Sequence, residues 1–248
     1  MRLLLTLSFV GTRYHGWQVQ KNALTVQQVV QDAVERVFGR RLPLTGCSRT
    51  DSGVHARMYC CHTDCDALPV SVERLPDALN FYLPADIAVS ACAEVPADFH
   101  ARYSAASKTY HYVLHNARCR DPFFEERALH IKAPLALTAM REAAGHLIGR
   151  HDFIGFQSAG ATISDVPDST VRTLTCCELL TEGERVTLSV TADGFLYNMV
   201  RIIAGTLIEV GRGKLPADGL PGIIQSRERA RAGPTAPAHG LYLMHVDY

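Results

Sequence analysis

The chain has 248 residues, 47% of them hydrophobic and 20% charged, and its 25 basic and 25 acidic side chains leave no net charge. That composition excludes a disordered chain and allows one large or two modest domains, each with a real core. It carries no basic bias of the kind a polyanion-binding surface often shows, although arginine far outnumbers lysine, which occurs only at Lys21, Lys108, Lys132 and Lys214. Arginine suits bidentate phosphate and base contacts, and a GC-rich genome gives the same preference.

In chain order, Leu3, Leu5, Leu7 and Phe9 alternate with Leu4, Thr6 and Ser8, so Arg2–Val10 reads as a strand rather than a signal peptide. Thr25 caps a helix to Phe38, with Val26, Val29, Val30, Ala33, Val34, Val37 and Phe38 as its apolar stripe and Gly39 as its stop. Strands are expected at Leu42–Cys47 and Val54–Thr63, a short helix at Val72–Phe81 and a strand at Ile87–Val95. The second half repeats the order. It reads as a strand at Lys108–His115, a helix over Leu137–Gly149 capped by Thr138, and a hairpin of Val171–Leu180 with Arg185–Ala192. A helix over "FLYNMVRIIAGTLIEVG" and a strand in "GLYLMHVDY" complete it. Segments rich in Gly, Pro, Ser and Thr at Ala117–Pro134, Gln157–Thr170 and Gly213–Gly240 are expected to be irregular.

Two β-α-β-β-α-β runs give an α/β (α+β) fold of two RRM-like or ferredoxin-like domains. Residues 1–104 form the first and residues 105–248 the second. Mainly antiparallel sheets, each wet on one face, would flank a central cleft. No stretch approaches the roughly 18 apolar residues of a membrane helix. The eight cysteines are dispersed through the chain, a pattern that fits reduced thiols in a cytoplasm better than a disulfide framework.

"RTDSGVHA" (Arg49–Ala56) places Asp51 on a tight turn between strands, just before Gly53. One reading is an Asx-turn, in which the carboxylate serves its own backbone. Another is a reactive group. A cation such as Arg49 close by favours the ionised carboxylate, which suits a nucleophile or electrostatic stabiliser rather than a proton donor. A third is half of an aspartic-protease pair. Only one D-[ST]-G occurs, Asp193-Gly194-Phe195 is a poor second copy, and a homodimer would have to supply the other carboxylate.

"CCHTDC" (Cys60–Cys65) resembles a zinc site only superficially. Cys60 and His62 point to one face of a strand and Cys61 to the other, and no matching pair follows at finger spacing. Cys176 and Cys177 read as strand packing. "GRGK" (Gly211–Lys214) ends a helix and lacks the leading Gly and the Ser/Thr of a phosphate loop. No G-x-S-x-G is present. Tyr110 and Tyr112 share one face of a strand and serve either packing or the stacking of a nucleobase.

Six stretches in order resemble the TruA family of tRNA pseudouridine synthases over nearly the whole chain. They are "GTRYHGWQVQ", "SRTDSGVHA", "FHARYSAASKTYHYVL", "GRHDFIGF", "DGFLYNMVRIIAGTLIEVG" and "PTAPAHGLYL". The resemblance implies an isomerase that converts uridine to pseudouridine at positions 38, 39 and 40 of the tRNA anticodon stem-loop. It implies a homodimer that needs no cofactor and no metal, with a basic cleft between two RRM-like domains. Asp51 matches the catalytic aspartate of the family. Tyr110 matches the tyrosine that stacks on the target base, Arg201 the arginine that pairs with the carboxylate, and Arg49 an arginine that contacts RNA near the flipped base. The chain departs from the pattern at Val10, where Asp is frequent, at Cys47-Ser48, where Gly precedes the arginine, and at Ser52, which replaces Ala. A non-catalytic RRM-type RNA-binding protein is the alternative reading.

Overall fold

The alternation Leu3, Leu5, Leu7, Phe9 buries one face of the first strand, β1 (Arg2–Phe9), and leaves the other half-buried. The structure, a computed structural model, describes residues 1–159 and 169–248. These divide into two compact units, residues 1–106 with 242–248, and residues 107–241.

In the first unit the chain runs through β1, helix α1 (Val26–Phe38), β2 (Thr45–Gly46), β3 (His55–Asp64), α2 (Leu75–Asn80) and β4 (Ile87–Val95). β1 lies between β3 and β4, antiparallel to both. This is the strand arrangement of a split βαβ domain. The end of the chain returns to this unit. The strand β10 (Leu241–Asp247) runs parallel to β3, with Tyr242 beside His55.

Thr25 caps α1 as expected, accepting the Gln28 N–H at 3.4 Å, and Gly39 ends the helix at φ +70°. The strand expected at Leu42–Cys47 shrinks to two residues. Pro43 has no N–H to give to a ladder. The neighbouring carbonyls are taken from the side, because Gln31 donates to Leu42 O and Gln27 to Leu44 O.

The second unit holds β5 (Ser107–Asn116), β6 (Leu129–Ile131), α3 (Leu137–Gly145), β7 (Gly149–Asp152), β8 (Val171–Glu182), β9 (Arg185–Ala192), α4 (Met199–Gly211) and α5 (Leu220–Ser226). Strands β5, β9, β8 and β7 neighbour one another in that order and pair antiparallel, while β6 lies parallel on the other side of β5. Four expectations are corrected here. Thr138 does not cap α3; it sits in the first turn, and the helix entry is placed by Ala136 N–H donating to Gly211 O at the end of α4. The helix stops at Gly145, and Gly149 already belongs to a strand. The helix expected from Phe195 starts only at Met199, because Asn198 adopts φ +61°. Of the stretches expected to be irregular, Ala117–Pro134 contains β6 and Gly213–Gly240 contains α5, while residues 160–168 of Gln157–Thr170 lie outside the described residues. Among the described residues no helix is long and apolar enough to cross a membrane.

Helix α4 is buried on almost every side. Its Thr206 is fully buried, donates to Ile202 O (2.7 Å) and accepts the Gly233 N–H (2.9 Å). The hydroxyl thereby holds a returning loop on the helix. Thr206→Val keeps the shape but leaves that N–H buried without a partner. We expect it to cost about 1–3 kcal/mol in chemical denaturation, and Thr206→Ser to recover most of that loss.

Candidate active site

The Asp51 turn is held by the loop that follows β1. Trp17 N–H donates to Thr50 O (3.3 Å), Gly53 N–H donates to Tyr14 O (3.2 Å), and Ser52 Oγ adds a bond to the same Tyr14 carbonyl (3.3 Å). The turn closes on itself through Val54 N–H and Asp51 O (3.2 Å), with Gly53 at φ +80°. Asp51 is half-buried between these anchors. Ser52, where the family pattern has Ala, therefore gains a bond and removes none.

The loop is itself anchored. Tyr14 is buried and its phenol donates to Asp86 (2.7 Å), which also pairs with Arg13 (2.9 Å). Burial, then the Asp86 carboxylate, push that phenol above its ordinary value, so it stays a donor at neutral pH. His55, buried at the start of β3, accepts the Gly11 N–H on Nδ1 (3.0 Å) and stacks on Tyr242 at 4.6 Å. Trp17 stacks on Tyr59 at 4.2 Å, and the Tyr59 hydroxyl donates to Ser48 O just before the turn. Tyr14, Gly16, His55 and Asp86 escape sequence reasoning as functional residues, because what marks them is a set of contacts between distant segments. Arg49 projects as an exposed side chain, and among the described residues no carboxylate pairs with it.

In the second unit Arg201 stands in the first turn of α4. Its Nε donates to Ala236 O (2.7 Å) and its Nη1 to Asn198 Oδ1 (2.8 Å), while Ala236 N–H donates back to Arg201 O (3.0 Å). The left-handed Asn198 also donates to Ser158 Oγ (2.9 Å). Tyr112 is wholly buried and its hydroxyl donates to Pro237 O (2.8 Å), so "PTAPAHG" is tied both to α4 and to β5. Burial pushes this phenol well up, against the opposing charge of Arg201. Tyr112 is therefore a packing residue. Tyr110, on the same strand face, is 6% exposed with its ring edge-on to Phe195 at 5.1 Å. Asp193 is engaged in its own hairpin, accepting the Thr173 N–H at 3.0 Å.

Cys60, Cys61 and His62 are all buried on β3, and burial raises both thiols, which keeps them protonated and poor ligands. In Cys177 the same cause pushes the thiol up to about 12. Among the described residues no group of three or more His, Cys, Asp and Glu is placed to hold a metal ion.

A profile of the tRNA pseudouridine synthase family matches residues 6–104 and 143–248, which include Arg49, Asp51 and Arg201. The tRNA pseudouridine synthase A of Ruminiclostridium cellulolyticum is 44% identical over 248 residues, covering 100% of this chain and 99% of that protein. Its counterpart in Acetivibrio thermocellus is 44% identical over 244 residues, 98% of each chain. That of Moorella thermoacetica is 43% identical over 248 residues, 99% of each.

The clamp on the Asp51 turn has one vulnerable point. A Cβ on Gly16 would stand 2.2 Å from the Thr50 carbonyl oxygen, at a backbone φ of +79°. Gly16→Ala is expected to lose about 2 kcal/mol or more in denaturant unfolding. Because Trp17 is the single tryptophan, its emission should shift in the folded variant as the clamp opens. An unchanged spectrum and midpoint would show that the turn is not held there.

Proposed function

The chain belongs to the tRNA pseudouridine synthase family, and from that premise we propose that it isomerises uridine to pseudouridine at positions 38, 39 and 40 of the tRNA anticodon stem-loop, with the Asp51 carboxylate as the reacting group. The observation that supports Asp51 is the rigidity of its turn. Three bonds from Tyr14 and Trp17 fix the backbone on both sides of a half-buried carboxylate. A reacting group held in place before substrate arrives avoids the entropy of ordering it during the reaction.

The reaction breaks the N1–C1′ bond of uridine and joins C5 to C1′. The proton on C5 is lost and N1 ends protonated, with no net redox change and no group added, so the stoichiometry calls for no cofactor. An ionised carboxylate can attack C1′, stabilise an oxocarbenium-like centre there, or take a sugar proton to give a glycal; glycosidases use carboxylates for related demands. The reading gives Arg201 the role of the cation that favours the ionised form. Its support is the orientation of that guanidinium by Ala236 and Asn198. Tyr110, its ring set by Phe195, is assigned to the detached uracil, and exposed Arg49 to the RNA backbone. A base must leave its stack to react, and the weak pairing of a stem-loop lowers that cost. A homodimer in the cytoplasm completes the reading.

The test is to incubate the protein with unmodified tRNA transcripts and map pseudouridine. The wild type should modify anticodon-arm uridines. Asp51→Asn should fold and bind tRNA but give no product, and substantial product from it would sink the assignment. Arg201→Ala should lower turnover by about a hundredfold or more. It should also cost about 1–2 kcal/mol of stability through the lost bonds to Ala236 and Asn198. Full activity in that variant would remove Arg201 from the mechanism.

A further inference from the structure

The turn at residues 99–104 carries an exposed aromatic ring on a densely bonded backbone. Tyr103 is 75% exposed. Beneath it the backbone is fixed by a dense set of bonds. Arg102 N–H and Tyr103 N–H both donate to His100 Nδ1 (3.1 and 3.2 Å), Ser104 N–H donates to His100 O (2.8 Å), and His100 N–H donates to Ser104 Oγ (2.9 Å). Longer-range bonds tie the turn to β1, β3 and the last residue of the chain. Ala101 N–H donates to His62 Nδ1 (3.1 Å), the Tyr248 hydroxyl to Ala101 O (2.8 Å), and Arg2 to Phe99 O (2.7 Å).

A ladder of rings carries this rigidity outward. Buried His62 on β3 lies 5.0 Å from His100, and His100 lies 4.4 Å from Tyr103 at an interplanar angle of 31°. Both histidines accept backbone N–H groups on Nδ1, which fixes the planes of their rings. The guanidinium of Arg102 sits 5.5 Å from the centre of the Tyr103 ring, and among the described residues no carboxylate pairs with it. The turn therefore presents an aromatic ring, set against His100, beside a cation with no carboxylate partner among the described residues.

We propose that Arg102 and Tyr103 form a contact for the RNA substrate outside the reacting residues, with Arg102 on a phosphate and the Tyr103 ring on a base or ribose. Phosphate and a planar base are the two chemistries that an adjacent guanidinium and aromatic ring recognise together. An aromatic side chain on an ordered backbone has few torsions left to lose on binding. The inference rests on the reading of the chain as an enzyme acting on tRNA.

Binding and steady-state kinetics on an unmodified tRNA transcript test it. Tyr103→Ala should raise KM about tenfold with kcat within about twofold, and Tyr103→Phe should restore KM. Arg102→Ala should weaken tRNA binding and reduce the slope of log affinity against log salt by about one. Melting temperatures should stay at the wild-type value because both side chains are exposed. Unchanged KM and salt slope in variants of an enzyme that makes pseudouridine would overturn this contact alone. So would a lowered melting temperature with a lost kcat, which marks a structural role. A change of oligomeric state with RNA affinity intact would also overturn it, because the pair then faces protein. A wild type that neither binds tRNA nor forms pseudouridine overturns the functional reading itself.

Discussion

The carbonyl oxygens of Tyr14 and Thr50 are the constraint on which the Asp51 turn depends. One accepts from Gly53 and Ser52, the other from Trp17. Each is a loop carbonyl meeting a loop N–H or hydroxyl, so neither segment is ordered without the other. Everything beneath them keeps the two loops in register. Asp86 holds Tyr14, His55 holds Gly11, and Tyr59 holds both Trp17 and the Ser48 carbonyl. A carboxylate at a flexible tip would sample many positions. Here it is carried by a backbone fixed on both sides, and the price is a glycine where a neighbouring backbone oxygen leaves no room for a side chain.

The second unit solves a similar problem with different parts. Helix α4 must expose the first-turn side chain of Arg201 while burying nearly everything else. The loop Gly233–Pro237 covers the helix, and Arg201 is bound to it twice, once through the side chain and once through the backbone carbonyl. Thr206 secures the start of that loop and Tyr112 its end. The carbonyl of Ala236 and the side-chain amide of Asn198 thereby orient the guanidinium.

How much of this was legible follows from the range of the forces involved. Periodicity reveals burial, so β1, α1, β4, β5 and β9 stand close to where alternation and the 3.6-residue stripe place them. Gly39 and Thr25 act locally and are read correctly. Where a long-range hydrogen bond decides, local pattern fails. The side chains of Gln27 and Gln31 take the carbonyls that a strand through Leu44 would have used. The bond from Ala136 to Gly211, not Thr138, sets the start of α3. Asn198 delays α4 by adopting a conformation that its own side-chain bonds to Arg201 and Ser158 support. The short strands β6 and β7 are too brief to carry a period at all. The same division holds at the site. Asp51 and its turn are visible in "RTDSG", whereas the roles of Tyr14, His55 and Asp86 exist only once the loops have met.

Zero net charge weighed against a nucleic-acid substrate, and the pairing of the arginines explains why the sum misleads. In the first unit Arg2 is held by Asp64, Arg13 by Asp86, Arg40 by Asp66, and Arg41 by Asp32 and Glu35. Each one-to-one pair contributes nothing to the net count and little to the field at a distance, and the Arg41 cluster carries one negative charge in excess. Arg49, beside the Asp51 turn, and Arg102, beside Tyr103, have no such carboxylate among the described residues. A polyanion responds to local potential rather than to the total, and local potential is set by which cations are already neutralised. In the first unit such pairs fasten scaffold arginines, while Arg49 and Arg102 stand exposed on loops with no carboxylate partner among the described residues.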